Sequence, residues 1–173
     1  MTNIAPIQPE LTSSISLLYK PMQWEISEIQ MEKESANYGA CIFKINNLNV
    51  LFRVAKVTPT KPGLFVTLWK RPCAKLPIVP YGISDRIDFY VISACSGRNF
   101  GQFIFPQSIL LQQKIMSDDK QIGKLGIRVY PPSELKLNAS AQRTQKWQKQ
   151  YFLAMDEGQG IDFINASSLY LLK

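Results

Sequence analysis

The chain has 173 residues, of which 46% are hydrophobic and 11% aromatic, a size and composition typical of one folded domain and not of a disordered chain. It contains no histidine, which excludes imidazole metal ligands and nucleophiles activated by histidine. No apolar run reaches the roughly 18–20 residues that span a membrane, and the first residues lack the layout of a signal peptide, so we expect a cytoplasmic protein.

Three widely spaced cysteines, Cys41, Cys73 and Cys95, fit neither a disulfide framework nor a zinc knuckle. We expect reduced, mostly buried thiols, because a free cysteine commonly packs as a small hydrophobic residue. We also expect neither a metal ion nor a cofactor.

The net charge of +7 is unevenly distributed along the chain. Residues 1–40 hold five glutamates and two lysines, whereas the stretch from Arg53 to Ser84 holds six basic residues and no acidic one. A second basic stretch, from Lys120 to Lys149, holds seven basic residues and one glutamate. Because clustered cations attract phosphates, we interpret the first stretch as a binding surface. The second stretch, taken alone, fits the solvated outer face of a helix.

Two helices are predicted at the beginning of the chain. Residues 9–20 start with a proline and carry apolar side chains at helical spacing, which predicts a short amphipathic helix that ends before Pro21. The glutamate-rich segment Trp24–Asn37 predicts a second helix, with Ile26 and Ile29 on one side.

Short aromatic and β-branched runs with a period of two then predict six strands. They are Tyr38–Ile45, Val50–Thr58, Leu64–Arg71, Asp88–Ser93, Gly101–Phe105 and Ile127–Tyr130. The first three are expected to form an antiparallel meander. Helices are expected from Pro106 to about Gln113 and over Ala139–Phe152, and the apolar tail, residues 161–172, is expected to pack back on the domain. The pattern predicts a single α/β (α+β) domain in which a mixed or antiparallel central sheet is flanked by helices.

The hairpin formed by Val50–Thr58 and Leu64–Arg71 carries the functional prediction. A register that pairs Lys56 with Val66 places Lys56 and Lys70 on the side of the hairpin that faces the core. Two explanations remain open for these lysines, because a charge facing the core must reach water, a carboxylate or a phosphate.

One explanation is that the lysines extend to solvent or pair with Glu32, Glu34 or Asp88. The other is that they line a cleft between the sheet and a helix. The same register places Arg53 opposite Trp69 on the outward side, where the two could form a cation–π pair or stack on a base.

The loop between the two strands, residues 58–63, combines hydroxyl groups, a lysine and backbone amides held by two prolines. These groups suit phosphate oxygens. A loop stiffened by its prolines is an equally good interpretation of the same residues.

Eight blocks of sequence resemble the MepB family. They are Tyr38–Ala40, Phe52–Lys56, Thr58–Gly63, Phe65–Arg71, Gly101–Pro106, Gly126–Pro132, Thr144–Gln148 and Tyr151–Phe152. The resemblance covers residues 38–152, so we predict one MepB-like domain over residues 1–173, with an N-terminal helical segment (9–37) and a C-terminal tail (153–173). It implies a fold similar to that of restriction-type endonucleases, and hence a protein that acts on nucleic acid, with DNA favoured over RNA.

An active nuclease of that fold is expected to bind Mg²⁺ through an Asp and through an Asp or Glu two residues before a Lys. The two strand triplets that end in Lys56 and Lys70 carry Val54 and Leu68 at the carboxylate position. Neither triplet can hold a metal ion.

We therefore predict a nucleic-acid-binding domain without a working metal-nuclease site. The residues predicted to bind nucleic acid are Arg53, Lys56, Thr58, Thr60, Lys61, Thr67, Trp69, Lys70, Arg71, Arg128, Gln145 and Lys146. One alternative is a Mg²⁺- or Mn²⁺-dependent nuclease with a migrated site formed by Glu34, Asp88 and Lys56. The other is a protein-interaction module whose basic face meets an acidic partner. The sequence leaves the oligomeric state open.

Overall fold

The computed structural model describes residues 7–156, 158 and 160–171; the predicted domain (1–173) and its predicted tail (153–173) extend beyond them. The strands are β1 (Ile26–Met31), β2 (Cys41–Ile45), β3 (Leu48–Val54), β4 (Lys56–Thr58), β5 (Lys61–Thr67), β6 (Trp69–Lys70), β7 (Val79–Pro80), β8 (Phe89–Ser96), β9 (Asn99–Pro106), β10 (Gly126–Val129) and β11 (Phe152–Ala154). The α-helices are α1 (Pro9–Ser14), which continues as a π-helical turn over Ile15–Tyr19, α2 (Gln107–Gln112), α3 (Ala139–Gln148) and α4 (Phe163–Leu169). Short 3₁₀ turns cover Ala36–Tyr38, Ile83–Asp85 and Lys149–Tyr151.

The central sheet is mixed and has the strand order β1-β2-β3-β8-β9-β11. The β3–β8 pair is parallel, and the other neighbouring pairs are antiparallel. A parallel pair requires a long crossover connection. Here the crossover carries β4 and β5, which form a second, three-stranded sheet with β10. We call this second sheet the small sheet.

Two hydrophobic cores cover the two faces of the central sheet. Alternate residues of β9 separate them: Phe103 and Phe105 face one core, and Ile104 faces the other. The first core is closed by the small sheet and α2, and the second by α1 and α4. The predicted fold class is therefore confirmed: this is a mixed α+β domain whose central sheet is covered on both faces.

The C-terminal segment docks through a buried polar network. The hydroxyl groups of Tyr170 and Tyr19 lie 2.9 Å apart, and Gln102 donates a hydrogen bond to the Tyr170 hydroxyl from β9. Burial raises the pKa of both tyrosines far above the usual range, so both hydroxyls stay protonated. For the described residues of the tail, 161–171, the expectation that it packs back on the domain is confirmed.

The predicted helix over Trp24–Asn37 is wrong. The middle of this segment, Ile26–Met31, is the edge strand β1, which pairs with β2 and has an irregular register near Glu28, where φ is +54°. Its glutamates favour a helix locally, but pairing with β2 overrides that preference. An edge strand that exposes polar side chains carries little period-two signal.

The predicted antiparallel meander is also wrong, because Val50–Thr58 is not one strand. The chain leaves the central sheet at Ala55, so that β3 and β4 belong to different sheets. In the small sheet Lys56 lies opposite Phe65 and not opposite Val66. This shift of one residue moves Lys56 from the core-facing side to the outward side.

Several other elements agree with the predictions. The β8–β9 hairpin, the helix that follows Pro106 and the short strand β10 are all present. The last predicted helix begins at Ala139 but ends at Gln148, and Phe152 belongs to β11. None of the helices in the described residues is long and apolar enough to cross a membrane.

The three thiols are free, but the expectation that they are mostly buried is wrong. Cys41 is buried, whereas Cys73 and Cys95 are exposed. Burial raises the pKa of the Cys41 thiol to about 12, which keeps it protonated and unreactive.

The loop of the small sheet depends on a glycine that no other residue can replace without strain. Gly63 has a φ of +73°, and a Cβ there would lie 2.5 Å from the Tyr130 ring and 2.9 Å from the Val129 carbonyl oxygen. Gly97, in the β8–β9 turn, has a φ of +62° but no atom within 4 Å of such a Cβ.

We expect Gly97→Ala to lower the free energy of unfolding by about 1–2 kcal/mol, the cost of a left-handed backbone. Gly63→Ala should cost at least about 1 kcal/mol more, because overpacking adds to the same backbone strain. Urea unfolding of the two variants measures the difference. Equal losses would show that the contact with Tyr130 relaxes without cost.

Candidate nucleic-acid interface

A row of three side chains crosses the outward face of the small sheet. Phe65 in β5 lies opposite Lys56 in β4 and opposite Arg128 in β10. Residues directly opposite in antiparallel strands point to the same face. Their neighbours Leu64 and Val66 are buried in the core, so the row faces away from the central sheet. We call Lys56, Phe65 and Arg128 the outer row.

Neighbouring side chains hold the outer row in place. The Tyr38 ring meets the Phe65 ring edge-on, with centroids 6.4 Å apart, and the Lys56 ammonium lies 5.5 Å from the Tyr38 centroid. The Phe65 ring also lies over Gly126, where a Cβ would come within 2.8 Å of it. Lys56 is exposed and Phe65 is half-buried, so the row offers a positioned ring beside an accessible cation.

Arg128 holds residues 58–63, the turn from β4 into the first residues of β5, which we call the β4–β5 loop. Its guanidinium donates hydrogen bonds to the carbonyl oxygens of Lys61, Pro62 and Gly63 and to the hydroxyl group of Thr58. Carbonyl and hydroxyl oxygens satisfy these donors without cancelling the positive charge. The Thr58 hydroxyl therefore helps to fix the loop by accepting from Arg128. The charge of Arg128 remains beside the exposed residues of that loop.

The predicted position of Arg53 is wrong. Its side chain is 1% exposed and does not lie opposite Trp69; its guanidinium lies 2.5 Å from the carboxylate of Glu32 and 5.8 Å from the centroid of Tyr81. The Tyr81 hydroxyl accepts a hydrogen bond from Arg53 and donates one to Glu32. Burial raises the pKa of Tyr81 well above its usual range. Arg53 is thus part of the core.

Two further predicted binding residues have carboxylate partners. Lys70 pairs with Asp85. The lysine therefore has a carboxylate partner, but not Glu32, Glu34 or Asp88 as the sequence suggested. The Arg71 guanidinium donates to both carboxylate oxygens of Glu34, at 2.7 and 3.0 Å. The charges of Lys70 and Arg71 are therefore partly cancelled.

The remaining predicted residues are dispersed. Thr60 and Lys61 are exposed in the β4–β5 loop, and Lys146 is exposed on α3. The Gln145 amide is used in the fold, since it donates to the carbonyl oxygens of two residues in the β10–α3 connection. Thr67 is half-buried and its hydroxyl lies 3.4 Å from that of Ser35.

A groove lies beside the small sheet, between β10 and α3. It has a volume of about 320 Å³, and its lining includes Lys124, Arg128, Tyr130 and Trp147. As far as the described residues go, no carboxylate lines it. The sequence did not single out this groove, because its cations belong to the stretch interpreted as a solvated helix face.

The structure does not bring together the three residues of the migrated nuclease site. Glu34 pairs with Arg71. Asp88 accepts a hydrogen bond from the backbone amide of Asn49, near the N-terminal end of β3. Lys56 follows the other end of β3, and a strand of this length spans about 20 Å. In the described part of the chain no three Asp, Glu or Cys residues are grouped as possible metal ligands.

Comparisons with known proteins place the chain in a family. The profile of the MepB-like family matches residues 32–154. The chain belongs to the MepB-like family. This confirms the predicted family resemblance.

Among solved structures, the crystal structure of MepB matches with a TM-score of 0.74 and 33% identity, over 83% of this chain and 97% of that one. A bacterial homing endonuclease, I-Ssp6803I, is similar with a TM-score of 0.45 and 15% identity, over 80% of this chain and 87% of that one. No curated protein matches the chain.

Within this MepB-like domain, breaking the buried pair of Arg53 and Glu32 should cost far more stability than breaking the exposed pair of Arg71 and Glu34. We expect Glu32→Gln to lower the free energy of unfolding by about 3 kcal/mol, because it leaves a buried guanidinium without a counter-charge. Glu34→Gln should cost less than about 1 kcal/mol, because water screens that pair. Urea unfolding measures both, and losses of similar size would contradict the assignment of Arg53 to the core.

Proposed function

We propose that this MepB-like domain binds nucleic acid through the outer row and the adjoining β4–β5 loop. The observation that carries the proposal is the row itself, in which the half-buried ring of Phe65 lies between the cations Lys56 and Arg128. Cations contact phosphates, and an aromatic ring accepts a stacked base. The combination suits a chain of nucleotides better than it suits a simple anion.

Charge around the row supports the proposal. Among the described residues, Lys56, Lys61 and Arg128 form no ion pair, in contrast to Arg53, Lys70 and Arg71. Glu134 contacts the loop through the backbone amide of Gly63. Even with this carboxylate counted, the cations are in excess on the face of the small sheet.

The proposal revises the set of binding residues. Lys56, Thr60, Lys61 and Arg128 stay in the set, and Phe65 joins them. Arg53, Lys70 and Arg71 leave it, because their charges are engaged by carboxylates. DNA remains the expected partner.

The salt dependence of binding tests this proposal. The double variant Lys56→Ala/Lys61→Ala should weaken binding to DNA. A plot of log affinity against log salt concentration should also become less steep, its slope losing about 2 in magnitude, one unit for each lost phosphate contact. Fluorescence anisotropy with labelled DNA at several salt concentrations measures the slope.

The matched control is Lys20→Ala/Arg98→Ala, which removes the same charge from exposed positions outside the small sheet. This control should reduce the affinity only slightly. Binding that is insensitive to salt, or equal effects of the two double variants, would contradict the proposal. Binding to an acidic protein but to no nucleic acid would favour a protein-interaction module instead.

A further inference from the structure

The groove between β10 and α3 is continuous with the outer row. Arg128 belongs to both, and Gly126 lines the groove while lying beneath the Phe65 ring. Because Gly126 has no side chain, nothing projects from this position between the ring and the groove. A chain of nucleotides that stacks on Phe65 can therefore continue into the groove.

The size of the groove limits what enters it. Its volume of about 320 Å³ lies at the lower end of the roughly 300–1,000 Å³ that small-molecule pockets occupy. This volume suits about one nucleotide. A duplex cannot enter a groove of this volume, because the whole duplex is wider than its major groove, which alone is about 12 Å wide.

The lining of the groove has the chemistry of a nucleotide site. Lys124 provides positive charge, and Gln113 adds a side-chain amide. Trp147 is half-buried and packs on Phe105, with ring centroids 5.2 Å apart, so its ring is fixed while part of it remains accessible. A cation, an amide and a fixed ring are the groups that hold a phosphate, a base edge and a base face.

One wall of the groove is already formed and needs no ligand. The Gln148 side chain accepts a hydrogen bond from the backbone amide of Tyr130 and donates one to the carbonyl oxygen of Arg128, both at 2.9 Å. These bonds tie α3 to β10 and keep the groove open at a fixed width. The site is therefore built before any ligand arrives.

From this geometry we infer that the groove takes a single unpaired nucleotide and that the domain selects single-stranded nucleic acid over duplex. The inference rests on the proposed function and specifies its substrate class. In a duplex the faces of the bases are covered by their neighbours, so neither Phe65 nor Trp147 could stack on them. In a single strand the bases turn outward, and both rings become usable.

The first experiment compares two DNA probes, a single strand of about 20 nucleotides and the duplex of the same sequence; this length exceeds the roughly 4–16 nucleotides of a typical single-strand site. We expect the single strand to bind at least about tenfold more tightly, the effect of one or more stacked bases. An RNA strand of the same sequence shows whether the sugar matters. Duplex binding equal to or tighter than single-strand binding overturns the inference.

The second experiment locates the nucleotide. Lys124→Ala should weaken single-strand binding about tenfold more than Lys120→Ala, since Lys120 is exposed in the same segment but does not line the groove. Trp147→Phe keeps a ring for packing on Phe105 and removes one of the chain's three tryptophans. Quenching of tryptophan fluorescence by the single strand should be lost in this variant.

The two proposals fail in different ways. If Lys124→Ala behaves like Lys120→Ala and quenching persists in Trp147→Phe, while Lys56→Ala/Lys61→Ala still weakens DNA binding, the groove inference fails and the proposed function stands. If no nucleic acid binds the native protein, both fail. Thermal unfolding of each variant checks that the fold is retained.

Discussion

A positive charge buried between the two sheets constrains how this chain can fold. Arg53 lies near the end of the parallel β3–β8 pair, where its side chain has almost no contact with water. A guanidinium in such a place is tolerated only with a carboxylate and hydrogen-bond acceptors around it. Glu32 comes from the end of the edge strand β1, and Tyr81 comes from the crossover connection. The edge strand and the crossover must therefore dock on β3 together, because either one alone leaves a charge or a hydroxyl group unsatisfied.

Three carboxylates, those of Glu32, Glu34 and Asp85, determine which cations remain available to a ligand. Glu32 and Glu34 act as internal counter-ions for Arg53 and Arg71, and Asp85 does the same for Lys70. Of the three other cations in the basic stretch from Arg53 to Ser84, Lys56 and Lys61 belong to the small sheet. There they join the second basic stretch through β10. The net charge of +7 is thus distributed asymmetrically over the surface. An anion that approaches the domain is drawn toward the face of the small sheet.

The sequence was sufficient for the family, for the mixed α+β class and for elements with strong local signals, such as the β8–β9 hairpin. It was insufficient where a strand changes sheets. The aromatic and β-branched run continues from Val50 to Thr58, and nothing local indicates that Ala55 divides it. The register of β4 and β5 also shifts between Val57 and Thr58, and an irregularity of this kind leaves no mark in a hydrophobic pattern. These two events reversed the faces assigned to Arg53 and Lys56. Phe65 has no signal of its own in the sequence, because its importance depends on the partners that the true register gives it.

Gln148 has one more consequence for the molecule. β10 is the outermost strand of the small sheet, and an outermost strand offers its backbone groups to any other extended chain. The Gln148 amide occupies two of these backbone groups from the side of a helix, as a short length of strand would do. Along β10 two backbone groups that would pair with a further strand are therefore occupied by a single glutamine, which is itself almost wholly buried.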